Sequence, residues 1–190
     1  YRSVVFDIEM RTGTIRRFAL EIDLRKATSL DELKLFGQPI VSLESGRILG
    51  FEMLLRWEHP TRGLISPGEF ISIVEETGII VSMGEWIFRT ACGQLASWRR
   101  EGFDDIYFSV NVSPRQLQQK DFGELLLGII EESGIESQFL QLELTESMLM
   151  DNRHNSLIAH LHEKGFPLAL DAFGTGYSSL TYLRRLPSSL

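Results

Sequence analysis

From Leu35 onward, runs of apolar and polar residues with a period of two alternate with runs of helical period. Residues 36–43 predict a strand, 44–46 a turn and 47–58 a second strand, which makes an opening antiparallel hairpin. Ser66, Pro67 and Glu69 supply an N-cap, a first helical position and a third one, so a helix is expected through Glu76, with Gly78 ending it. A longer helix over 82–100 keeps Ile87, Ala91, Leu95 and Trp98 on one face, and Gly102 stops it. Residues 106–112, 139–145 and 166–173 read as strands. Ser113-Pro114 starts a helix after the first of these, 155–164 forms another that ends at Gly165, and Gly174-Thr175-Gly176 leads into a last one. Strands alternating with helices imply a parallel α/β sheet, with the hairpin as its one irregularity. Before Leu35 the pattern is weaker. Tyr1 to about Thr14 reads as a linker. Phe18, Leu20, Ile22 and Leu24 alternate with charged residues, but the neighbouring arginines and alanines favour a helix there.

Strand parity separates two faces. Phe108, Val110 and Val112 oppose Ser109, Asn111 and Ser113; Leu140, Leu142 and Leu144 oppose Gln141, Glu143 and Thr145; Leu168 and Leu170 oppose Ala169 and Asp171. Glu52 shares a face with Leu54 and Arg56. The bulky apolar sets are expected to meet the helices. The small and polar sets point the other way, and each of these series reaches an oxygen-bearing side chain near its C-terminal end. A TIM-like barrel places its chemistry in this manner. Glu52, Asn111, Glu143 and Asp171 would together make a hard, oxygen-rich shell suited to Mg²⁺, Mn²⁺ or Ca²⁺. Any one of them alone would more simply be a solvated or paired polar residue. Glu146, just past a strand end, could orient such a site or cap the following helix.

Composition narrows the setting. The 190 residues suffice for one domain with a full core, and the net charge of −7 disfavours a general nucleic-acid binder. An acidic chain that handles phosphates needs local Arg or Lys, or a bound metal. A single cysteine, Cys92, excludes a disulfide framework and reads as a buried helix residue. The absence of a membrane-length apolar run or signal pattern fits a cytoplasmic setting. His59, His154, His160 and His162 are scattered and read as surface or structural residues. Gly174-Thr175-Gly176 is followed by no Gly-Lys-Ser, so a nucleoside triphosphatase is a weak reading.

Several ordered motifs carry a resemblance. Glu52-Met53-Leu54-Leu55-Arg56-Trp57 resembles the signature of the EAL domain family, the bacterial cyclic di-GMP phosphodiesterases, with Met53 where that signature has alanine. Beside it stand Gln38-Pro39-Ile40-Val41, Ser66 to Ile71, Asn111-Val112-Ser113, Glu143 to Ser147, and Asp171 followed by Phe173 to Leu180. Met53 faces away from Glu52 by parity, so the substitution should remove no ligand. The resemblance implies a TIM-like (β/α) barrel with an antiparallel first strand. It implies metal-assisted hydrolysis of cyclic di-GMP to pGpG in second-messenger signalling, with Mg²⁺ or Mn²⁺ as cofactor and Ca²⁺ as inhibitor. Glu52, Asn111, Glu143 and Asp171 match the family's metal ligands, Glu52 the catalytic glutamate of the motif, and Gln38, Leu54 and Arg56 the dinucleotide contacts. Arg56 would offer a guanidinium fork to phosphate, the alternative being a salt bridge with Glu58 or Glu69. A homodimer and an upstream diguanylate cyclase-like or sensor domain are implied as partners, and the loop at Gly174–Gly176 lies by the metal site and dimer contact in the family.

Two departures bear on activity. The family has two consecutive aspartates before Phe-Gly, whereas this chain has Asp171-Ala172, which weakens the hold on a second metal. The sequence also stops at Leu190, before the family's strand with a catalytic lysine. About five strands are readable against the eight of a closed barrel, so the C-terminal part of the barrel is expected to be missing from this chain. The segment between Asp151 and Gly165 reads as a residue or two short for the family. Residues 1–30 are expected to form a linker or helix from an upstream domain, and 31–190 an EAL domain lacking its C-terminal units. A catalytically impaired cyclic di-GMP receptor is therefore the alternative to the phosphodiesterase.

Overall fold

The computed structural model describes residues 8–171. Ala172, the Gly174–Gly176 loop and the final helix lie outside them. The order is α1 (Ile8–Ala27), β1 (Leu33–Val41), β2 (Ile48–His59), β3 (Gly63–Ile65), α2 (Pro67–Thr77), α3 (Ile79–Arg100), β4 (Tyr107–Asn111), α4 (Pro114–Leu117), α5 (Phe122–Ser133), β5 (Leu140–Thr145), α6 (Glu146–Met150), α7 (Asn155–Glu163) and β6 (Leu168–Asp171). The sheet runs β1-β2-β4-β5-β6, with β3 pairing β2. β1 and β2 pair antiparallel; β2, β4, β5 and β6 pair parallel. This is the expected α/β sheet with an antiparallel opening strand. Among the described residues β1 and β6 are its edges.

The alternation read from the sequence decides which face packs. Met53, Leu55 and Trp57 of β2, Phe108 and Val110 of β4, and Leu140, Leu142 and Leu144 of β5 are buried against helices α2, α3 and α5. Met53 is thus a core residue, turned away from Glu52. Cys92 is fully buried in α3, and burial pushes its thiol up to about 12, which fits a packing residue and not a nucleophile. Two glycines are required by close approach. A Cβ on Gly50 would meet the Tyr107 carbonyl oxygen at 2.5 Å across the β2–β4 pair. One on Gly84 would strike the Gln116 amide, which accepts the Ser113 N–H at 2.9 Å and so caps α4 directly after β4.

Several boundaries differ from the sequence reading, each for a local reason. α1 begins at Ile8, so the stretch read as a linker to Thr14 is already helical over its second half. Leu20, Leu24 and Ala27 tie this helix into the core, which period alone could not show. β3 has three residues, too few for a period-two signal. The helix expected from Ser113-Pro114 is two pieces, α4, opened by Ser113's capping box and ended at Gln118, and α5, which starts after Asp121. Ser66 holds the N-cap backbone conformation, but its hydroxyl makes no cap bond; Glu69, the residue that would reciprocate, pairs instead with Arg16 of α1 at 2.7 Å. Among the described residues no helix is long and apolar enough to cross a membrane.

Candidate functional site

The face opposite the helices collects the polar series. Glu52 on β2 pairs in register with Ser109 on β4, Asn111 with Glu143 on β5, and Thr145 with Asp171 on β6. The chosen residues climb along the strands from β2 to β6. This stagger follows from the tilt of twisted parallel strands, and it lets residues at different strand depths face one region. Asn111 Nδ2 donates to Glu52 Oε1 at 2.9 Å, so two of the four sequence-predicted residues touch directly. Glu143 Oε1 accepts from the Ser109 hydroxyl, and Ser109 Oγ accepts from Gln141 Nε2 at 3.2 Å. Asp171 has its backbone at the expected register on β6; its side chain lies outside the described residues.

A divalent ion is tested here by donor chemistry. Among the described residues no three His, Cys, Asp or Glu side chains cluster for a metal. The set is complete only when the Asn111 amide oxygen and Asp171 join Glu52 and Glu143. With Asn111 donating its N–H to Glu52, its Oδ1 remains an oxygen donor beside that carboxylate. These are hard oxygens at adjacent strand positions in an acidic chain, and they fit Mg²⁺ or Mn²⁺. Burial first, and then the charge of Glu143, raise the Tyr107 phenol above its ordinary value. Tyr107 therefore stays a neutral hydroxyl near the carboxylates.

On the β1–β2 side, Gln38 lies directly across from Glu52, and Phe36 across from Leu54. Gln38 is exposed and Leu54 and Arg56 are half-buried, all on one face. Arg56 Nη1 donates to the Leu55 carbonyl at 2.9 Å, and its guanidinium carbon lies 5.9 Å from the centroid of the Phe36 ring. Among the described residues Arg56 forms no salt bridge with Glu58 or Glu69, and Glu69 pairs with Arg16 instead. Arg56 thus keeps donors for an anion. A cavity of about 350 Å³ lies between β2, β4, α2 and α3, lined mainly by the helix-facing residues Met53, Leu55, Val110 and Val112, and also by Leu54 and Asn111.

Glu146 is the first residue of α6, where its charge favours the helix N-terminus. Of the histidines, His59 is buried and paired with Asp23 at 3.1 Å, and His154 is buried at the start of α7. Neither adjoins Glu52 or Glu143 in the sheet register. Sequence reasoning placed Ser109 and Gln141 on the polar face without giving them a role, and passed over Phe36 and Tyr107. All four share parity with chosen residues, which was the available signal.

The chain matches the EAL domain family over residues 21–189. It is 41% identical over 184 residues to the uncharacterized protein sll1895 of Synechocystis, covering 96% of this chain and 26% of that protein. It is 39% identical over 186 residues to the bifunctional diguanylate cyclase/cyclic di-GMP phosphodiesterase MucR of Pseudomonas aeruginosa, covering 97% of this chain and 27% of that protein. The chain thus spans about a quarter of the length of these relatives. Among solved structures, the MucR phosphodiesterase in complex with c-di-GMP superposes with a TM-score of 0.84 at 41% identity, over 89% of this chain and 69% of that one.

Proposed function

We propose, from the premise that this chain belongs to the EAL domain family, that it binds cyclic di-GMP on the face formed by Gln38, Glu52, Leu54, Arg56, Asn111 and Glu143. The observation that carries this reading is the direct Asn111–Glu52 contact with Glu143 on the adjoining strand and Arg56 on the same face. Glu52, Asn111, Glu143 and Asp171 would hold Mg²⁺ or Mn²⁺. Such an ion, when bound, offsets phosphodiester charge and makes water a better nucleophile. The chain's own part is positional. Asn111 fixes the Glu52 carboxylate, Ser109 fixes that of Glu143, and Arg56 presents paired N–H donors to a phosphate oxygen. Gln38 offers both a donor and an acceptor to the dinucleotide from the neighbouring strand. In the parent protein the same site would cleave one diester to give pGpG, in a cytoplasmic signalling polypeptide with an upstream diguanylate cyclase-like or sensor domain.

Titration calorimetry of the folded chain with cyclic di-GMP and Mg²⁺ tests the binding. A saturable heat that Arg56→Ala weakens by about tenfold or more is the expected result, on the scale of a charged hydrogen-bonded contact. No heat from the folded chain would refute the reading. A second reading, a receptor that binds without hydrolysis, is favoured by Ala172, where the family has a second aspartate. Turnover to pGpG is accordingly expected to be weak or absent. Ala172→Asp, in a polypeptide carrying the complete domain, should raise it by about tenfold or more if the lost carboxylate is what limits metal affinity. An unchanged rate would remove the second metal as the cause.

A further inference from the structure

β4 separates the two glutamates of the site and supplies a neutral donor to each of them, crosswise. Ser109 lies in register with Glu52 of β2, and Asn111 with Glu143 of β5. The hydrogen bonds run along the diagonals: Asn111 Nδ2 donates to Glu52 Oε1 at 2.9 Å, and the Ser109 hydroxyl donates to Glu143 Oε1. Ser109 is 0% exposed, so bulk water does not compete for its single hydrogen. That hydrogen has two carboxylates beside it, Glu143 on the diagonal and Glu52 directly opposite. A hydroxyl turns about its C–O bond, and a carboxylate only accepts. The direction of the hydroxyl is therefore set by its remaining neighbour. Gln141 stands straight across from Ser109, two residues before Glu143 on β5, and its Nε2 donates to Ser109 Oγ at 3.2 Å. With the amide turned the other way, its oxygen would draw the serine hydrogen to itself and leave Glu143 facing a lone pair.

We propose that Gln141 is a positioning residue for the metal site and acts through Ser109. By donating to the hydroxyl oxygen it directs the serine hydrogen to Glu143, and so fixes the rotation of that carboxylate. The inference rests on the reading of Glu143 as a metal ligand, and it adds that the ligand is oriented by a residue which is not itself one. Groups that orient metal ligands in this way are worth roughly 10–100-fold in affinity. Both contacts lie between β4 and β5, inner strands that each have two sheet neighbours, so neither depends on an edge of the sheet.

Titration of the folded chain with Mn²⁺ alone, followed by electron paramagnetic resonance of the free ion, tests the relay. Gln141→Met keeps the length of the side chain and removes its N–H. It should raise the Mn²⁺ dissociation constant about tenfold, and Ser109→Ala about tenfold or more. Gln141→Leu, a second variant without a donor, should behave as Gln141→Met does. Urea unfolding without metal checks that each variant is folded. Because Gln141 acts through Ser109, adding Gln141→Met to Ser109→Ala should change the constant by less than about twofold, whereas a residue placed for packing alone would add its effect in both backgrounds. Unchanged Mn²⁺ binding in both Gln141 variants overturns the proposal, and so does an equal loss in the two backgrounds. Glu143→Gln separates the relay from the site. If it abolishes Mn²⁺ binding while the Gln141 variants bind as the parent does, the metal site stands and the relay is wrong. If Glu143→Gln itself binds Mn²⁺ as the parent does, both fall.

Discussion

Glu52→Gln is expected to lower metal-dependent binding of cyclic di-GMP by ~10²-fold or more while leaving the fold intact. The magnitude follows from a comparison: groups that merely orient metal ligands are worth roughly 10–100-fold, and a charged ligand should not be worth less. The substitution isolates charge. Glutamine has the shape of glutamate, and its Oε1 can still accept the Asn111 N–H that the carboxylate accepts at 2.9 Å. Phe51 and Met53, on the other face of β2, keep their packing. The unfolding midpoint should therefore move little. Without the second carboxylate oxygen charge, the site loses a hard anionic donor next to Asn111 and across from Gln38. Calorimetry with and without Mg²⁺ separates the outcomes. If the variant binds as tightly as the parent in the presence of metal, Glu52 is no ligand and the proposed site is wrong.

How much of this was legible in the chain depends on the range of the interaction. Strand parity is local, so Val110 against Asn111 and Leu142 against Glu143 could be assigned to opposite faces and the structure buries the apolar member each time. The capping box at Ser113 is local too, and it marks the end of β4. Register is not local. That Asn111 meets Glu52, while Ser109 serves Glu143, depends on strands 34 to 59 residues apart in sequence, and no period encodes that offset. Phe36 was passed over for the same reason. It became visible only when β1 and β2 set it across from Leu54 and near Arg56. The role of α1 was hidden differently. Its two apolar faces cancel the one-sided signature that marks a surface helix, so Leu20 and Ile22 read alike although one is buried and the other exposed.

Trp57→Ala is expected to cost about 3–5 kcal/mol of stability, the usual range for deleting a buried large aromatic. Trp57 closes the Glu52–Trp57 motif but faces the core and is 0% exposed. Its ring meets Phe70 of α2 edge-on at 5.7 Å and His59 at 4.9 Å, and such pairs add roughly 0.5–1.5 kcal/mol beyond area. Its indole N–H donates to Glu32 at 3.0 Å, and its backbone pairs with Leu33 on one side and Ile65 on the other. The side chain thus ties β2 to α2 and to Glu32, just before β1, while the backbone at this position pairs with β1 and β3. Against a total of roughly 5–15 kcal/mol for a natural domain, its loss would consume a large share. Trp57→Phe, which keeps the ring and loses the N–H, should cost much less, with the lost hydrogen bond worth about 1 kcal/mol. The two motif residues then separate by experiment. Glu52→Gln weakens binding at constant stability. Trp57→Ala lowers the urea midpoint but leaves the folded fraction able to bind, so saturating cyclic di-GMP with Mg²⁺ should restore part of the midpoint by mass action. A loss of affinity at an unchanged midpoint would instead place Trp57 at the ligand, against its burial.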